Sequence, residues 1–128
     1  MKRTILAVIG GLFVWAIVAT LLNFVVRAAL PGYTVAESAL AFSMAMKIAR
    51  LSLAVIASLV AGIAVARVAP ASRAAPWITG LILLAAFLPI HIQIGARLPV
   101  WYHVFFLVTL APLIAIGARM VRPNATSA

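Results

Sequence analysis

Four long apolar runs, roughly Ile5–Val26, Leu51–Ala66, Trp77–Ile94 and Val100–Ala118, make up most of this chain, and the charged residues fall mainly between them. Each run approaches the ~20 residues that a helix needs to cross a hydrocarbon core. None shows the period-2 alternation of a membrane β-strand, and each is too long for one. Lipid offers no partner to backbone N–H and C=O groups, so helices that satisfy them internally are the remaining solution. The pattern predicts an all-α integral membrane four-helix bundle with short loops. It forms one transmembrane domain over residues 1–122, with spans at about 5–26, 45–66, 77–95 and 100–118, and a disordered tail over 123–128.

The punctuation between the runs refines this. Pro31-Gly32 ends the first helix. Thr34-Val35-Ala36-Glu37 matches a capping box, which predicts that the second helix starts near Thr34 and continues to about Arg67. Such a helix measures about 50 Å, well beyond the bilayer core. It must therefore project from the membrane or lay its first third along the interface, with Val35, Ala39, Phe42 and Met46 as a lipid- or partner-facing stripe. Pro70 to Pro76 reads as a loop, Pro99 suits a helix first turn, and Pro89 and Pro112 are expected to bend spans three and four. Gly10-Gly11, within span one, reads as a packing notch. The start Met1-Lys2-Arg3 resembles a signal peptide, but its apolar run is longer than the usual 7–15 residues and Val26-Arg27-Ala28 is a poor cleavage site, so an uncleaved span is expected.

Composition agrees and narrows the function classes. The chain is 67% hydrophobic and 9% charged, with a mean hydropathy of +1.27, unlike a soluble domain with about 25% charge. Its net charge of +9 is scattered over span ends rather than gathered on one wet face, which argues against nucleic acid. With no cysteine, thiol, disulfide and Cys-zinc chemistry are excluded. Lys2, Arg3, Arg67, Arg73, Arg119 and Arg122 fall on one side, against Arg27 and Arg97 on the other, or four there if Lys47 and Arg50 are added. The positive-inside rule then puts both termini in the cytoplasm. Tyr33, Trp101 and Tyr102 would form an outer aromatic belt, and Trp77 would mark the inner interface.

Chemistry is confined to a few polar residues. Ala54, Ser58, Ala61 and Gly62 make a small-residue stripe along span two, suited to close helix packing inside the bundle or to a dimer seam. Lys47 and Arg50 lie on that same face, two turns and one turn before Ala54. His91 and His103 each sit six residues from Arg97, about 9 Å along a helix. Thr20, Asn23 and Arg27 share a face at the same end of span one. Asn23, Lys47, Arg50, His91 and His103 are therefore the candidate ligand-binding residues, for an anion, a lipid headgroup or a quinone-like molecule, since ionisable groups in a membrane are costly to keep. The plainer account is snorkelling of Lys and Arg to the headgroups, with hydrogen-bonded structural histidines. A third reading takes His91 and His103 as axial ligands of a b-type haem. The single carboxylate, Glu37, lies outside the apolar runs, which excludes paired-carboxylate catalysis and carboxylate-rich metal sites. No catalytic residue, metal site or cofactor is expected.

The absence of an acid from the first span separates this chain from the small multidrug transporters, and it lacks the glycine-rich and Thr/Phe-rich signatures of fluoride channels. Phe87-Leu-Pro-Ile-His91-Ile-Gln93 and Leu98-Pro-Val-Trp-Tyr-His103-Val-Phe-Phe-Leu, within a chain running from Lys2-Arg3 to Gly117-Ala-Arg119, resemble uncharacterised small four-helix proteins of bacterial inner membranes. That resemblance implies the architecture and location but carries no activity. The expected role is non-enzymatic, a structural or accessory protein that packs with membrane lipids, a membrane protein partner or further copies of itself. A binding or transport module is the alternative.

Overall fold

Helix runs through every apolar stretch in the computed structural model, which describes residues 2–121. The elements are α1 (Lys2–Ala29), α2 (Tyr33–Ala39), α3 (Met44–Val68), α4 (Ala74–Gln93) and α5 (Val100–Val121), with a 3-10 turn at Gly95–Arg97. Among the described residues there is no strand. All but α2 are long and apolar enough to cross a membrane. Arg122 and the tail over 123–128 lie outside the described residues.

Helix α3 packs along α1 and α5, and α4 packs along α5 and, less extensively, α1, while α3 and α4 barely touch. The bundle therefore closes in the order α1, α3, α5, α4. Because successive spans reverse direction, α3 and α5 run parallel, as do α1 and α4. One end of the bundle carries α2 and the α4–α5 turn; the opposite end carries the α3–α4 loop and the start of α1.

The expectation of one long helix from Thr34 to Arg67 does not hold. The chain breaks after α2: Leu40 takes a left-handed conformation (φ 55°), and α3 restarts at Met44. Ser43 caps that restart, its hydroxyl accepting from the Met46 backbone N–H at 3.3 Å. The capping box at Thr34 is also not formed. Gly32, at φ 78°, precedes the helix without a side-chain cap, and the Glu37 carboxylate is drawn to side chains on α1 and α3. The break splits the stripe predicted here, for Val35 and Ala39 face outward while Phe42 is buried and Met46 packs on the core. The aromatic belt is likewise reduced. Trp101 is on the surface, but Tyr33 and Tyr102 are buried because their hydroxyls meet Arg50 inside the bundle.

In lipid, tails are as apolar as leucine, so association rests on close packing and interhelical hydrogen bonds. Both are visible. Ala54, Ser58, Ala61 and Gly62 are all buried on α3, which makes their stripe an internal seam rather than a dimer surface. A Cβ on Gly62 would collide with the Ile114 backbone carbonyl, and one on Gly117 with that of Leu59, so both positions require glycine for α3 and α5 to approach this closely. Of Gly10-Gly11, only Gly11 forms a notch, against Val65 and Thr79. Buried Ser58 and Thr79 return their hydroxyls to the carbonyls four residues earlier, Ala54 and Ala75. Ser58 also accepts from the Trp15 indole N–H at 3.0 Å, tying α1 to α3. The outward face of α1, including Ile5, Leu6, Ile9, Phe13 and Ile17, is exposed and apolar, as a lipid-facing helix requires.

Candidate functional site

Helical spacing assembles the polar residues at the α2 end. On α1, Asn23 and Arg27 are four residues apart and share a face. On α2, Tyr33 and Glu37 repeat that spacing. Arg50 lies in the second turn of α3, and Tyr102 in the first turn of α5. These six residues form one network. The Asn23 amide Nδ2 donates to Glu37 Oε2 at 3.1 Å and Arg27 Nε donates to Glu37 Oε1 at 2.8 Å. Arg50 Nη1 donates to the Tyr33 hydroxyl at 2.7 Å and lies 3.6 Å from Glu37 Oε2. Arg50 Nε donates to the Tyr102 hydroxyl at 3.0 Å. Tyr33 passes its own hydrogen to Asn23 Oδ1 at 3.1 Å. The Arg50 guanidinium also lies over the Phe42 ring, 4.7 Å from its centre, a favourable contact for a cation with an aromatic face.

Partial burial by itself would raise the pKa of Glu37. Hydrogen bonds from Arg27 and Asn23, with the charges of Arg27 and Arg50, outweigh it and hold the carboxyl below its ordinary range. The carboxylate is therefore ionised at neutral pH. Burial raises the Tyr33 phenol, against the opposing pull of Arg50, so it remains a neutral hydroxyl.

A second pair lies alongside. His91 Nδ1 and His103 Nδ1 are 2.7 Å apart, and His103 Nε2 is 3.3 Å from the Gly95 carbonyl. A carbonyl only accepts, so the network assigns the hydrogen to His103 Nε2. For two neutral rings, His103 Nδ1 is then the acceptor and His91 Nδ1 the donor. His91 is buried, stacked on Tyr102 at 6.2 Å and against Phe106 at 4.7 Å, so Tyr102 joins the two groups. The two imidazoles meet edge to face, 4.9 Å between ring centres, joined through their Nδ1 atoms. Among the described residues, no three His, Cys, Asp or Glu side chains converge as a metal site.

Between the spans, the network opens onto a cleft of about 220 Å³. Asn23, Glu37, Arg50 and Tyr102 line its polar end, and Trp15, Phe87 and Phe106 its aromatic end, with Ala19, Thr20 and Leu53 completing the wall. All four spans contribute. Trp15 and Phe87 pack at 5.1 Å, as do Phe87 and Phe106.

Of the five residues predicted to bind, Asn23 and Arg50 sit on the cleft, and His91 and His103 pair behind its Tyr102 wall. Lys47 is half-buried and makes no polar contact within the described residues, because the break before α3 leaves it a turn beyond the network. Glu37, Tyr33, Arg27 and Tyr102 were not among the five. For three of them the sequence held a faint signal, the lone acid of a strongly basic chain and the four-residue spacings Asn23–Arg27 and Tyr33–Glu37; for Tyr102 it held none. Compared with known protein families, curated proteins and solved structures, the chain matches none.

Proposed function

We propose that this four-span membrane protein is a non-enzymatic binding protein that admits the polar end of an amphipathic molecule into the cleft between its spans. The observation that carries this reading is the cleft itself: all four spans line it, and polar groups gather at one end with aromatic rings at the other. Ligand sites are concave, largely apolar and furnished with a few convergent polar groups. The location we propose is a bacterial inner membrane, with the α2 end facing outward. In support, Lys2, Arg3, Arg67, Arg73 and Arg119 gather at the opposite end, where the positive-inside rule expects them, while Arg27 and Arg50 at the α2 end both pair with Glu37.

Native mass spectrometry in mild detergent tests the reading. Wild-type protein is expected to retain one small amphiphile, and Ala19→Trp, which fills the cleft from α1, to lose it. A spectrum without any retained amphiphile, or one unchanged by Ala19→Trp, would sink the proposal. The second reading is the accessory role, a bundle that packs with lipid or a partner subunit. What favours it is that most polar groups of the network satisfy one another, as an interhelical clamp would. Co-purification of one stoichiometric membrane protein, with an empty cleft, would support that role instead.

A further inference from the structure

The hydrogen-bond inventory of the cleft is unbalanced, and the imbalance has one sign. Arg50 carries five N–H donors and no acceptor; Nε and Nη1 are engaged, and with the side chain about a third exposed (31%) the remaining donors are open to a partner entering the cleft rather than buried. The Tyr102 hydroxyl accepts from Arg50, but its own hydrogen has no acceptor among the described residues, although Tyr102 is only 3% exposed. Asn23 donates through Nδ2 and has its oxygen occupied by Tyr33. Unspent hydrogen-bonding capacity at the polar end is thus mostly donor capacity, and leaving a buried donor unmade is costly.

The acceptor that supplies this end is Glu37. It hangs from α2, a seven-residue helix bounded by left-handed residues at Gly32 and Leu40, and its side chain is about a quarter exposed (24%). Its two oxygens take the Asn23 amide and the Arg27 guanidinium, with Arg50 close by. A carboxylate held between two guanidinium groups marks a place shaped for an anion with acceptor oxygens only. Against two cations it leaves one positive charge in excess. A phosphate has the same chemistry, with more oxygens to reach Tyr102 and the free Arg50 donors.

We propose that the cleft takes the acceptor-only head of an anionic amphiphile, a phosphate or carboxylate, by exchange with the Glu37 carboxylate. Glu37 is the internal occupant, and it turns to water as the ligand head takes its donors. One anionic head replaces one carboxylate, so the two guanidinium groups exchange one anionic partner for another. The aromatic end of the cleft, Trp15, Phe87 and Phe106, receives the first part of the apolar chain. This inference rests on the binding reading above and adds the class of the ligand.

The test measures binding to wild-type protein and variants in an uncharged detergent by native mass spectrometry, with dioleoyl phosphatidic acid and dioleoylglycerol as probes. Removing the competing charge in Glu37→Gln is expected to tighten phosphatidic acid by about tenfold, the worth of one charge-assisted hydrogen bond released to the ligand. Dioleoylglycerol binding should not move. Tyr102→Phe is expected to weaken phosphatidic acid severalfold. Gained affinity cannot come from misfolding, which keeps the result interpretable. If Glu37→Gln leaves phosphatidic acid unchanged or weaker, the exchange is overturned. If dioleoylglycerol binds as tightly as phosphatidic acid and Ala19→Trp removes both, the head class is wrong while the binding reading stands. If neither lipid is held but a co-purified amphiphile is retained and lost in Ala19→Trp, the head class is wrong while the binding reading stands; if no amphiphile of any kind is retained, both fail. Competition with inorganic phosphate assigns the source: displacement makes the head alone sufficient, and persistence makes the chains necessary, both within the exchange.

Discussion

Helices α3 and α5 run side by side for most of their length, yet their two ends meet on different terms. Around Gly62 and Gly117 they approach backbone to backbone. At Arg50 and Tyr102, about 18 Å further along α3, the same pair is joined through a guanidinium and a phenol beside a cleft. The contrast follows from the side chains. Glycine and alanine let two backbones close, whereas Arg50, Tyr102 and Phe106 hold them apart and leave space that lipid-like packing alone does not fill. Small residues make the tight end, and large ones make the end with room for a guest.

The largest expected loss lies at the close approach of α3 and α5. Gly62→Leu forces a side chain into the Ile114 carbonyl and is expected to cost at the upper end of about 1–3 kcal/mol; a thermal melt in detergent that matched wild type would refute the close approach. Arg50→Ala at the other end strips Tyr33, Tyr102 and Glu37 of a partner and should cost about 1–2 kcal/mol by the same melt. Arg50→Lys should restore less than half of that, because an ammonium is a point charge and cannot reproduce the planar fork. Trp15→Phe keeps the ring against Phe87 and loses only the bond to Ser58, an effect of about 0.6 kcal/mol.

Acid should separate the two ends as well. The folded pKa of Glu37 lies below its unfolded value, so its contribution is complete above the unfolded carboxylate pKa of about 4.3 and is lost as pH falls through the folded value. Melting temperatures measured downward from neutral pH should therefore decline on entering that range in wild type, and Glu37→Gln should remove this component of the slope. Lys47→Ala, outside both regions, is expected to shift stability by no more than about 0.5 kcal/mol. A larger loss would place Lys47 in the network after all.

The spans could be read from the sequence because lipid imposes a length and forbids charge, and both constraints act on one residue at a time. The internal stripe of α3 was legible for a similar reason, since small residues at helical spacing leave a visible signature. The cluster was legible only in part. Asn23, Arg50, His91 and His103 stand out as polar residues in apolar runs. Glu37 and Tyr33 lie in the connection, where a polar residue is unremarkable, and their role depends on where the chain turns after Leu40. A leucine gives no warning of a left-handed backbone. The Thr34–Glu37 spacing fitted a local cap equally well, and the long-range partners Arg27 and Arg50 prevailed because they offer the carboxylate two full charges.

The closing order of the bundle bears on how the chain is assembled. Helix α4 follows α3 by a five-residue link, Ala69–Arg73, but finds its main partner in α5. In chain order, α1 already has its main partner once α3 is present, whereas α4 has only its lesser contacts with α1 and α3 until α5 follows. The pocket needs Phe106 and Tyr102 of α5 for its wall, so it is complete only when the last span is in place.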